Sequence, residues 1–417
     1  MKITIKPSEY KGEIWANPSK SIMQRAMALA ALSEDEVLIS NPDYSADSRA
    51  SIEIIKRMGA EVSENEDYIN VKPCQKLNSN EWHVGEAGLS ARMFAPIAGL
   101  YDEDILLSGH GSILSRPMTT VVEALEQLGL EVEHKDYYLP LLIKGMIKNN
   151  KLELDMSSGS QLLTGLLIAL SKSRNDSEIL VKNLKSKPYI DLTICAAQGF
   201  GAEIVNKNYE RFLIKGNRKL SRKKFNVEGD WSGASFHLVG AAISGKAILS
   251  GINPRSKQAD RAILEALISS GARLKTKHNK IIVEKSVLRA FEFDATDSPD
   301  LFPPLVVLAT YSKGISKIKG ISRLKHKESD RFMTLKQEFG KLGIEIYSEG
   351  DYMLIEGKIP EGGLVYSHND HRIAMALAIA GLGAKGDIVI ENAQCVKKSY
   401  PDFYLDYEIL GGIASGF

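Results

Sequence analysis

The chain has 417 residues, of which 44% are apolar and 25% charged, and its formal net charge is +1 at pH 7. That length exceeds what one hydrophobic core supports, so two domains are predicted. A near-zero net charge without a long basic run argues against a protein that binds nucleic acid or a membrane surface.

The first residues, MKITIKPSEYKGEIW, lack the apolar core of a signal peptide. No uninterrupted apolar stretch approaches the roughly 18 residues of a membrane-spanning helix. The cysteines stand far apart, at Cys74, Cys195 and Cys395. Such spacing indicates a reducing compartment and gives no support for a zinc site. We therefore predict a cytoplasmic protein.

A first repeat unit recurs six times, about every 70 residues: a helix of small apolar residues, a short loop and a β-branched strand. In chain order the copies are AMALAALSEDEVLISN, APIAGLYDEDILLSGH, LLIALSKSRNDSEILVKN, VGAAISGKAILSGIN, VVLATYSKGISKIKG and ALAIAGLGAKGDIVIEN. The nearly unbroken apolar character of these helices predicts that they are buried on all sides.

A second repeat unit alternates with the first: a helix that ends in glycine, then two short strands around a polar turn. Five complete copies place a glycine where a left-handed C-cap is expected. These glycines are Gly59, Gly129, Gly201, Gly271 and Gly343. The strands alternate apolar and polar residues, so half-buried sheets are predicted.

The sixth copy of the second unit is predicted to be the helix YPDFYLDYEIL without its strands. We expect the N-terminal segment KITIKPSEYKGEIWA to supply them as strand, turn and strand. This closure predicts an α/β (α+β) fold of two similar domains, each with three βαβαββ units, inner helices and outer sheets. One domain combines residues 1–14 with 228–417, and the other is the insert 15–227. An open solenoid is the alternative, but the terminal copies lack polar capping variants.

The chain crosses between the two predicted domains twice, near residues 13–17 and 225–228. These crossings are the predicted hinge.

The segments that precede the six inner helices are rich in Gly, Ser, Asp, Asn and Pro. In chain order they read PSKS, GEAGLSAR, SSGSQ, GDWSGAS, TDSPDLF and SHNDHR. Cations recur at these and related helix starts, although a helix N-terminus already carries partial positive charge. They are Lys20, Arg25, Arg92, Arg116, Lys327, Arg331, His371, Arg372 and Lys398. The combination predicts phosphate or carboxylate binding, and pairing of each cation with a nearby acid is the alternative.

Two acidic positions are candidates for acid–base chemistry. If the run KESDR at 327–331 opens a helix, Lys327 and Arg331 lie one turn apart with Glu328 beside them. A carboxylate among cations suits proton transfer, whereas a solvent-facing salt-bridge cluster is the alternative. Asp300 is predicted at the mouth of a buried helix, where a carboxylate needs a charged or hydrogen-bonding partner.

The segment SHNDHR contains a possible helix cap. Ser367 and Asp370 have the spacing of a capping box. His371 and Arg372 follow directly, and a cap alone does not explain two basic residues at that place.

Together these motifs resemble the EPSP synthase family, the 3-phosphoshikimate 1-carboxyvinyltransferases, over essentially the whole chain. KESDR and NDHR are specific in combination, whereas PSKS alone is a weak signal. The matching residues are Pro18–Ser21 with Arg25, Gly85, Ala87-Gly88 with Arg92, Arg116-Pro117, Gly159–Gln161, Ser186–Tyr189, Pro299-Asp300, Lys327–Arg331, Asn369–Arg372, Lys398 and Pro401-Asp402. The resemblance implies a pair of threefold domains, an inverse α/β prism, that close over a cleft.

The implied reaction moves the enolpyruvyl group of phosphoenolpyruvate to the 5-hydroxyl of shikimate 3-phosphate, by addition and elimination. The resemblance implies Asp300, Glu328 and Lys20 as catalytic residues. It implies Lys20, Ser21, Arg25, Ser160, Gln161, Ser186, Tyr189, Asp300, Arg323 and Lys327 as shikimate 3-phosphate ligands. It implies Lys20, Gly88, Arg116, Gln161, Arg331, His371, Arg372 and Lys398 as phosphoenolpyruvate ligands.

The discontinuous domain would then be the phosphoenolpyruvate and catalytic side, and the insert the shikimate 3-phosphate side. No metal or organic cofactor is implied, the only expected partners are the small-molecule substrates, and we expect a monomer.

Some positions depart from the family pattern. Glu86 and Leu89 replace the Asn and Thr that flank Ala-Gly, and Gly159 replaces the first serine of an SSQ motif. Arg323 stands where an Asn is expected. A carboxylate at Glu86 should weaken phosphoenolpyruvate binding unless it pairs with Arg92 or points away.

Two other functions remain open at this point. One is the related transferase that acts on UDP-N-acetylglucosamine, which carries a reactive cysteine before its Arg-Pro; residues 111–115 contain none. The other is a non-catalytic phosphosugar-binding relative, which would be expected to lose Asp300 or Glu328.

Overall fold

The computed structural model describes residues 1–73, 76–325 and 327–416, so Cys74 lies outside the described residues. Within these ranges the strands, in chain order, are β1 (Lys2–Lys6), β2 (Lys11–Trp15), β3 (Val37–Ser40), β4 (Glu61–Glu64), β5 (Tyr68–Lys72), β6 (Glu81–His83), β7 (Ile105–Ser108), β8 (Glu131–Lys135), β9 (Tyr138–Lys144), β10 (Lys151–Asp155), β11 (Ser177–Lys182), β12 (Ile204–Lys207), β13 (Arg211–Ile214), β14 (Lys224–Asn226), β15 (Lys246–Ser250), β16 (Arg273–Lys277), β17 (Lys280–Glu284), β18 (Glu292–Asp294), β19 (Ile315–Lys319), β20 (Ile346–Glu349), β21 (Tyr352–Glu356), β22 (Gly363–Tyr366), β23 (Ile388–Glu391) and β24 (Ile413–Ser415).

The α-helices alternate with these strands. They are α1 (Lys20–Ala31), α2 (Ala46–Arg57), α3 (Gly88–Ala98), α4 (Thr119–Gln127), α5 (Gln161–Lys172), α6 (Lys187–Gly199), α7 (Trp231–Ser244), α8 (Ile263–Ser269), α9 (Phe302–Thr310), α10 (Arg331–Lys341), α11 (His371–Gly381) and α12 (Phe403–Ile409). Short 3₁₀ helices span Gly111–Ser115, Ala259–Ala262, Pro299–Leu301, Ile321–Arg323 and Ala393–Lys398. No helix of the described ranges is long and apolar enough to cross a membrane.

The chain divides into two units, Met1–Ser19 with Glu228–Phe417, and Lys20–Val227. The inserted unit, Lys20–Val227, contains three four-stranded sheets in the orders β14-β3-β5-β4, β6-β7-β9-β8 and β10-β11-β13-β12. In each sheet the first two strands are parallel and the other pairs antiparallel. This is the pairing that a βαβαββ unit produces.

The discontinuous unit, Met1–Ser19 with Glu228–Phe417, repeats the same pattern. Its sheets have the orders β2-β15-β17-β16, β18-β19-β21-β20 and β22-β23-β1-β24. The predicted fold class of three βαβαββ units per domain is therefore confirmed.

Two strands, β2 and β14, each stand at the end of their own unit and are followed in the chain by a helix of the other unit. β2 precedes α1 in the chain but pairs in parallel with β15 of the discontinuous unit. β14 precedes α7 but pairs in parallel with β3 of the inserted unit. Each crossing therefore lies just after a paired strand.

The first boundary between the units was predicted after residue 14. In the structure it falls after Ser19. The backbone explains the difference. The backbone N–H of Ala16 donates to the backbone carbonyl of Ser250 at 2.8 Å. The backbone N–H of Ser19 donates to the backbone carbonyl of Glu228 at 2.8 Å. These bonds hold the segment after β2 on the discontinuous unit. The hinge at the crossings stays a prediction.

The inner helices are α1, α3 and α5 in one unit and α7, α9 and α11 in the other. All residues of α7, α9 and α11 are buried. Small residues permit this close packing: a Cβ on Gly165 of α5 would come within 2.5 Å of the Met93 backbone oxygen of α3. Helix α2 is instead amphipathic and turns one apolar face to the core.

The predicted C-cap glycines all have positive φ, from +78° at Gly343 to +103° at Gly59. The backbone is left-handed there, which glycine adopts without a steric penalty. Gly411 adds a sixth such position, with φ +100°, after α12.

The N-terminal strand completes the third sheet of the discontinuous unit. β1 pairs antiparallel with both β23 and β24. The prediction that both missing strands come from the N-terminus is wrong in one respect, because β24 follows α12 and only β1 is supplied from the start. β2 belongs to a different sheet.

Beside this closure, α12 carries a buried carboxyl group with a testable electrostatic cost. The Tyr400 hydroxyl donates to Asp406, and burial raises the pKa of Asp406 to about 6. A carboxyl whose folded pKa is raised contributes stability below its unfolded pKa and loses it as pH rises through the folded pKa.

We expect the free energy of unfolding of an Asp406→Asn variant to exceed that of the wild type by about 1–2 kcal/mol at about pH 8. The amide oxygen still accepts the hydrogen bond of the Tyr400 hydroxyl, and the amide carries no buried charge. The difference should vanish by about pH 3, where Asp406 is largely protonated in both states. Urea unfolding at the two pH values measures this, and an equal difference at both values would contradict it.

Candidate active site

In the inserted unit, Lys20 is the first residue of α1. Its Nζ donates to Asp47 Oδ2 at 2.8 Å, and both side chains are largely buried. The neighbouring Asp43 accepts hydrogen bonds from Ser45 and Ser48. Burial raises the pKa of Asp43 to about 6. Lys20 therefore lies in an acidic, poorly solvated environment.

Arg25 lies one turn further along α1, with 2% of its surface exposed. Its guanidinium donates to neutral oxygens: Thr193 Oγ1 at 2.9 Å, the Ser21 carbonyl at 2.7 Å, Thr164 Oγ1 at 3.2 Å and the Tyr189 carbonyl at 3.4 Å. Burial lowers its pKa to about 10. The hydrogen-bond partners of its guanidinium are neutral oxygens, and no carboxylate of the described ranges is among the influences on its pKa, so its charge is suited to binding an anion.

The start of α3 gathers residues from three segments, which we call the Gly88 cluster: Gly88, Arg92, Arg116 and Gln161. A Cβ on Gly88 would lie 2.5 Å from Arg116 Nη1, 3.2 Å from Arg92 Nη1 and 3.5 Å from Gln161 Oε1. Arg92 Nη1 also donates to Gln161 Oε1 at 3.4 Å. Only glycine lets two guanidinium groups approach the helix N-terminus this closely.

Other predicted ligands of this unit stand at helix starts. Ser160 and Ser186 are the buried N-cap residues of α5 and α6. Gln161 begins α5, and Ser186 has a left-handed backbone with φ +59°. Tyr189 is half-buried in the first turn of α6.

The Glu86 carboxylate turns to the backbone. Its Oε2 accepts from the Ser112 N–H at 2.8 Å, at the start of the 3₁₀ helix Gly111–Ser115. A Cβ on Gly111 would come within 2.5 Å of that carboxyl group. A helix N-terminus stabilises a carboxylate, so this contact offsets part of the repulsion expected between Glu86 and an anionic ligand.

In the discontinuous unit, Asp300 precedes the buried helix α9, within the 3₁₀ helix Pro299–Leu301. Arg331 Nη1 lies 2.6 Å from its Oδ1, and Arg372 Nη2 lies 3.1 Å from its Oδ2. Lys327 Nζ is 3.4 Å from Oδ1. Burial alone would raise the pKa of Asp300, but Arg372, Lys327 and Arg331 outweigh it and hold that pKa well below its usual range.

Arg331 is fully buried and touches three carboxylates. Its Nε donates to Asp370 Oδ2 at 2.8 Å, its Nη1 to Asp300 at 2.6 Å and its Nη2 to Glu328. Asp370 is itself fully buried. Burial opposes the charge, yet Asp370, Glu328 and Asp300 raise the pKa of Arg331 well above its usual range.

We call this group the Arg331 cluster. Its members are Asp300, Lys327, Glu328, Arg331, Asp370 and Arg372. Burial, the largest influence on Lys327, lowers its pKa.

Two helix starts differ from the arrangements that the sequence analysis considered. The KESDR run does not open a helix at Lys327, because α10 begins at Arg331 and Asp330 caps it by accepting from the Met333 N–H at 3.2 Å. Lys327 and Arg331 thus share no helical face and meet at Asp300 instead. Ser367 forms no capping box either: Asp370 is the N-cap of α11.

The remaining predicted residues lie on neighbouring segments of this unit. His371 is buried and begins α11, and Lys398 Nζ donates to the Asn369 carbonyl at 2.8 Å. Arg323 ends the 3₁₀ helix Ile321–Arg323, and burial lowers its pKa against the opposing influence of Asp297 and Asp300.

Several residues near these clusters were not assigned to a substrate. Arg92 was predicted only as one of the helix-start cations that bind an anion, and Asp370 was interpreted only as a possible cap. Asp47, Ser232 and Asp260 were not singled out. The segment GDWSGAS was the available signal for Ser232, since its copies at other helix starts all hold candidate ligands.

The chemistry of the Arg331 cluster follows from its charges. Its three acids and three cations balance in the free chain. A dianionic ligand would make the set negative and favour proton uptake by one acid. The arrangement can therefore bind an anion and transfer a proton in the same place.

Comparison with known proteins agrees with these features. A family model described as EPSP synthase (3-phosphoshikimate 1-carboxyvinyltransferase) matches residues 5–406. The chain belongs to the EPSP synthase family.

Curated relatives in this EPSP synthase family match the chain over its whole length. A 3-phosphoshikimate 1-carboxyvinyltransferase of Clostridium perfringens is 37% identical over 421 residues, covering 100% of this chain and 99% of the relative. One of Clostridium acetobutylicum is 38% identical and covers 98% of this chain and 97% of its own length.

Solved structures share the fold. The EPSP synthase of Acinetobacter baumannii has a TM-score of 0.84 at 23% identity, with 100% of both chains covered. The enolpyruvyl transferase NikO of Streptomyces tendae has a TM-score of 0.79 at 17% identity, with 99% and 98% covered. At these identities the likeness concerns the fold alone.

Proposed function

We propose that this chain transfers the enolpyruvyl group of phosphoenolpyruvate to the 5-hydroxyl of shikimate 3-phosphate and releases phosphate. The observation that carries the proposal is the Arg331 cluster, in which Asp300 and Glu328 share one buried guanidinium. The membership of the EPSP synthase family supports this reaction and does not favour the UDP-N-acetylglucosamine alternative.

Asp300 takes the proton of the 5-hydroxyl in this proposal. In the free chain its carboxylate is ionised and stabilised by cations, which makes it a weak base. When the substrate anions pair with Arg372 and Lys327, these cations stabilise the Asp300 carboxylate less, and the pKa of Asp300 rises. The base therefore becomes effective when both substrates are bound.

Glu328 delivers a proton to the methylene carbon of phosphoenolpyruvate, while the hydroxyl oxygen bonds to the neighbouring carbon. The tetrahedral product then loses phosphate, and the methyl carbon returns its proton to Glu328. Lys20, held by Asp47, assists this transfer. Proton uptake by the Arg331 cluster on binding of a dianion supplies the acid form.

The anion ligands divide by contact chemistry. Arg25, with its neutral oxygen partners, binds shikimate 3-phosphate together with Ser21, Ser160, Gln161, Ser186, Tyr189, Arg323 and Lys327. The Gly88 cluster binds phosphoenolpyruvate together with Lys20, Arg331, His371, Arg372 and Lys398. We also propose that the chain acts as a cytoplasmic monomer.

Phosphate release from phosphoenolpyruvate tests the reaction, with shikimate 3-phosphate and UDP-N-acetylglucosamine as separate acceptors. We expect release with shikimate 3-phosphate only. Calorimetric titration of each substrate without turnover distinguishes the non-catalytic alternative: tight binding with no release for either acceptor would overturn the proposed reaction.

We expect a Gly88→Ala variant to raise the KM for phosphoenolpyruvate about tenfold, because its Cβ must displace Arg116, which would lie 2.5 Å away. The phosphoenolpyruvate analogue glyphosate should lose inhibition in the same variant. The matched control is Gly340→Ala, where a Cβ meets nothing within 4 Å and should leave the KM unchanged. Equal KM values for wild type and Gly88→Ala would contradict the prediction.

A further inference from the structure

The segment GDWSGAS stands at the start of an inner helix like the other candidate segments, yet the proposed reaction assigns it no role. Its Ser232 is the second residue of α7 and is buried, with 8% of its surface exposed. Asp230 caps the helix by accepting from the N–H groups of Ser232 and Gly233, both at 3.3 Å. The cap fixes the backbone and leaves the Ser232 hydroxyl for another purpose.

The Ser232 hydroxyl links a substrate-binding arginine to a second buried acid. Arg372 Nη2 donates to Ser232 Oγ at 3.1 Å and to Asp300 Oδ2 at 3.1 Å. The Ser232 hydroxyl in turn donates to Asp260 Oδ2. Asp260 lies in the 3₁₀ helix Ala259–Ala262 with 2% of its surface exposed.

The direction of these hydrogen bonds depends on the charge of Asp260. An ionised carboxylate only accepts, so it fixes the hydroxyl proton of Ser232 on the Asp260 side. The oxygen lone pairs of Ser232 then face Arg372, which has only donors. An amide or a protonated carboxyl at position 260 can donate, and the hydroxyl proton can then turn toward the guanidinium.

We propose that Asp260, acting through Ser232, is a positioning residue that holds the Arg372 guanidinium in the orientation that binds phosphoenolpyruvate. This inference rests on the proposed function, because it assigns Arg372 to that substrate. It gives GDWSGAS, the fourth of the six helix-start segments, a role in substrate binding.

The pKa of Asp260 predicts a pH dependence of phosphoenolpyruvate binding that a purely structural role would not produce. Burial, and then the nearby Asp300, raise the pKa of Asp260 to about 6, while Arg372 and the Ser232 hydrogen bond oppose the rise and Asp230 adds to it. The positioning effect should therefore weaken as pH falls through about 6.

The test compares Asp260→Asn, Ser232→Ala and the double variant by steady-state kinetics with both substrates. We expect each single variant to raise the KM for phosphoenolpyruvate about tenfold and to leave the KM for shikimate 3-phosphate within about twofold. The double variant should be no worse than Ser232→Ala, because both substitutions break one chain of contacts.

The matched control is Ser244→Ala at the opposite end of the same helix. Its hydroxyl is also buried and donates to the Gly240 carbonyl at 2.8 Å, remote from Arg372 along the helix. This variant should lose a similar amount of thermal stability and keep both KM values. Equal changes in Ser244→Ala and Ser232→Ala would overturn the inference.

The pH dependence supplies the second criterion. The ratio of the phosphoenolpyruvate KM of Asp260→Asn to that of the wild type should be about tenfold at about pH 8 and approach one at about pH 5. A constant ratio, additive effects in the double variant, or unchanged KM values in an active enzyme would overturn the inference alone. A wild-type chain with no phosphate release would overturn the proposed reaction and, with it, this inference.

Discussion

An Asp300→Asn variant is expected to lose about 10³-fold in kcat, because the amide cannot accept the proton of the attacking hydroxyl. Binding should behave in the opposite way. Asp300 shares its charge with Arg331, Arg372 and Lys327. Its neutralisation leaves these cations with excess positive charge, so the Kd for phosphoenolpyruvate should fall or stay unchanged.

The separation of kcat from binding makes this prediction specific. Single-turnover phosphate release measures the chemical step, and calorimetry measures Kd without turnover. The matched control is Asp294→Asn, which removes the same charge from an exposed position paired with Lys319. Its kcat should remain within about twofold of the wild type. A loss of binding in Asp300→Asn as large as the loss in kcat would contradict a role as base.

The architecture was predictable because its signal is periodic. The first repeat unit recurs in every inner helix, and the C-cap glycines mark every outer helix that was predicted. The sheet partner of β2 was not predictable in the same way. Whether β2 pairs with β15 depends on which sheet edge it meets, and no local pattern in β2 distinguishes the two edges.

The candidate site shows the same limit. The sequence identified Arg331 because a cation at a helix start is electrostatically unfavourable, and it identified Asp300 because a carboxylate at the mouth of a buried helix needs a partner. It did not identify that Asp370 would be the third carboxylate on Arg331, a contact between residues 39 positions apart. The link from Arg372 to Ser232 spans 140 positions. Such partners depend on tertiary packing, which local spacing does not encode.

The two helix starts that differ from the sequence analysis have a common physical cause. Asp330 and Asp370 both act as N-caps, and an N-cap residue has a non-helical backbone. The charged residues before each cap therefore lie in a loop. This difference matters for the chemistry, since a loop lets Lys327 and Arg331 approach Asp300 from separate directions.

An Arg331→Met variant is expected to lose about 3–5 kcal/mol of unfolding free energy at neutral pH, the cost of removing one partner from a buried ion pair. Arg331 and Asp370 are both fully buried, so water cannot replace the lost contact. The matched control is Arg289→Met, which removes the same charge from an exposed position of the same unit and should change stability by less than about 0.5 kcal/mol. Urea unfolding at about pH 7 measures both variants.

The pH dependence of that loss identifies its origin. Asp300 has a lowered pKa in the folded chain, so its contribution is present above its unfolded pKa and disappears as pH falls through the folded pKa. Protonation of the carboxyl groups in Arg331→Met removes the unpaired charge, and the deficit should shrink below about pH 4. Removing both charges, in Arg331→Met with Asp370→Asn, should recover much of the loss. A double variant no more stable than Arg331→Met would show that the side-chain volume of Arg331, and not its charge, stabilises the start of α10.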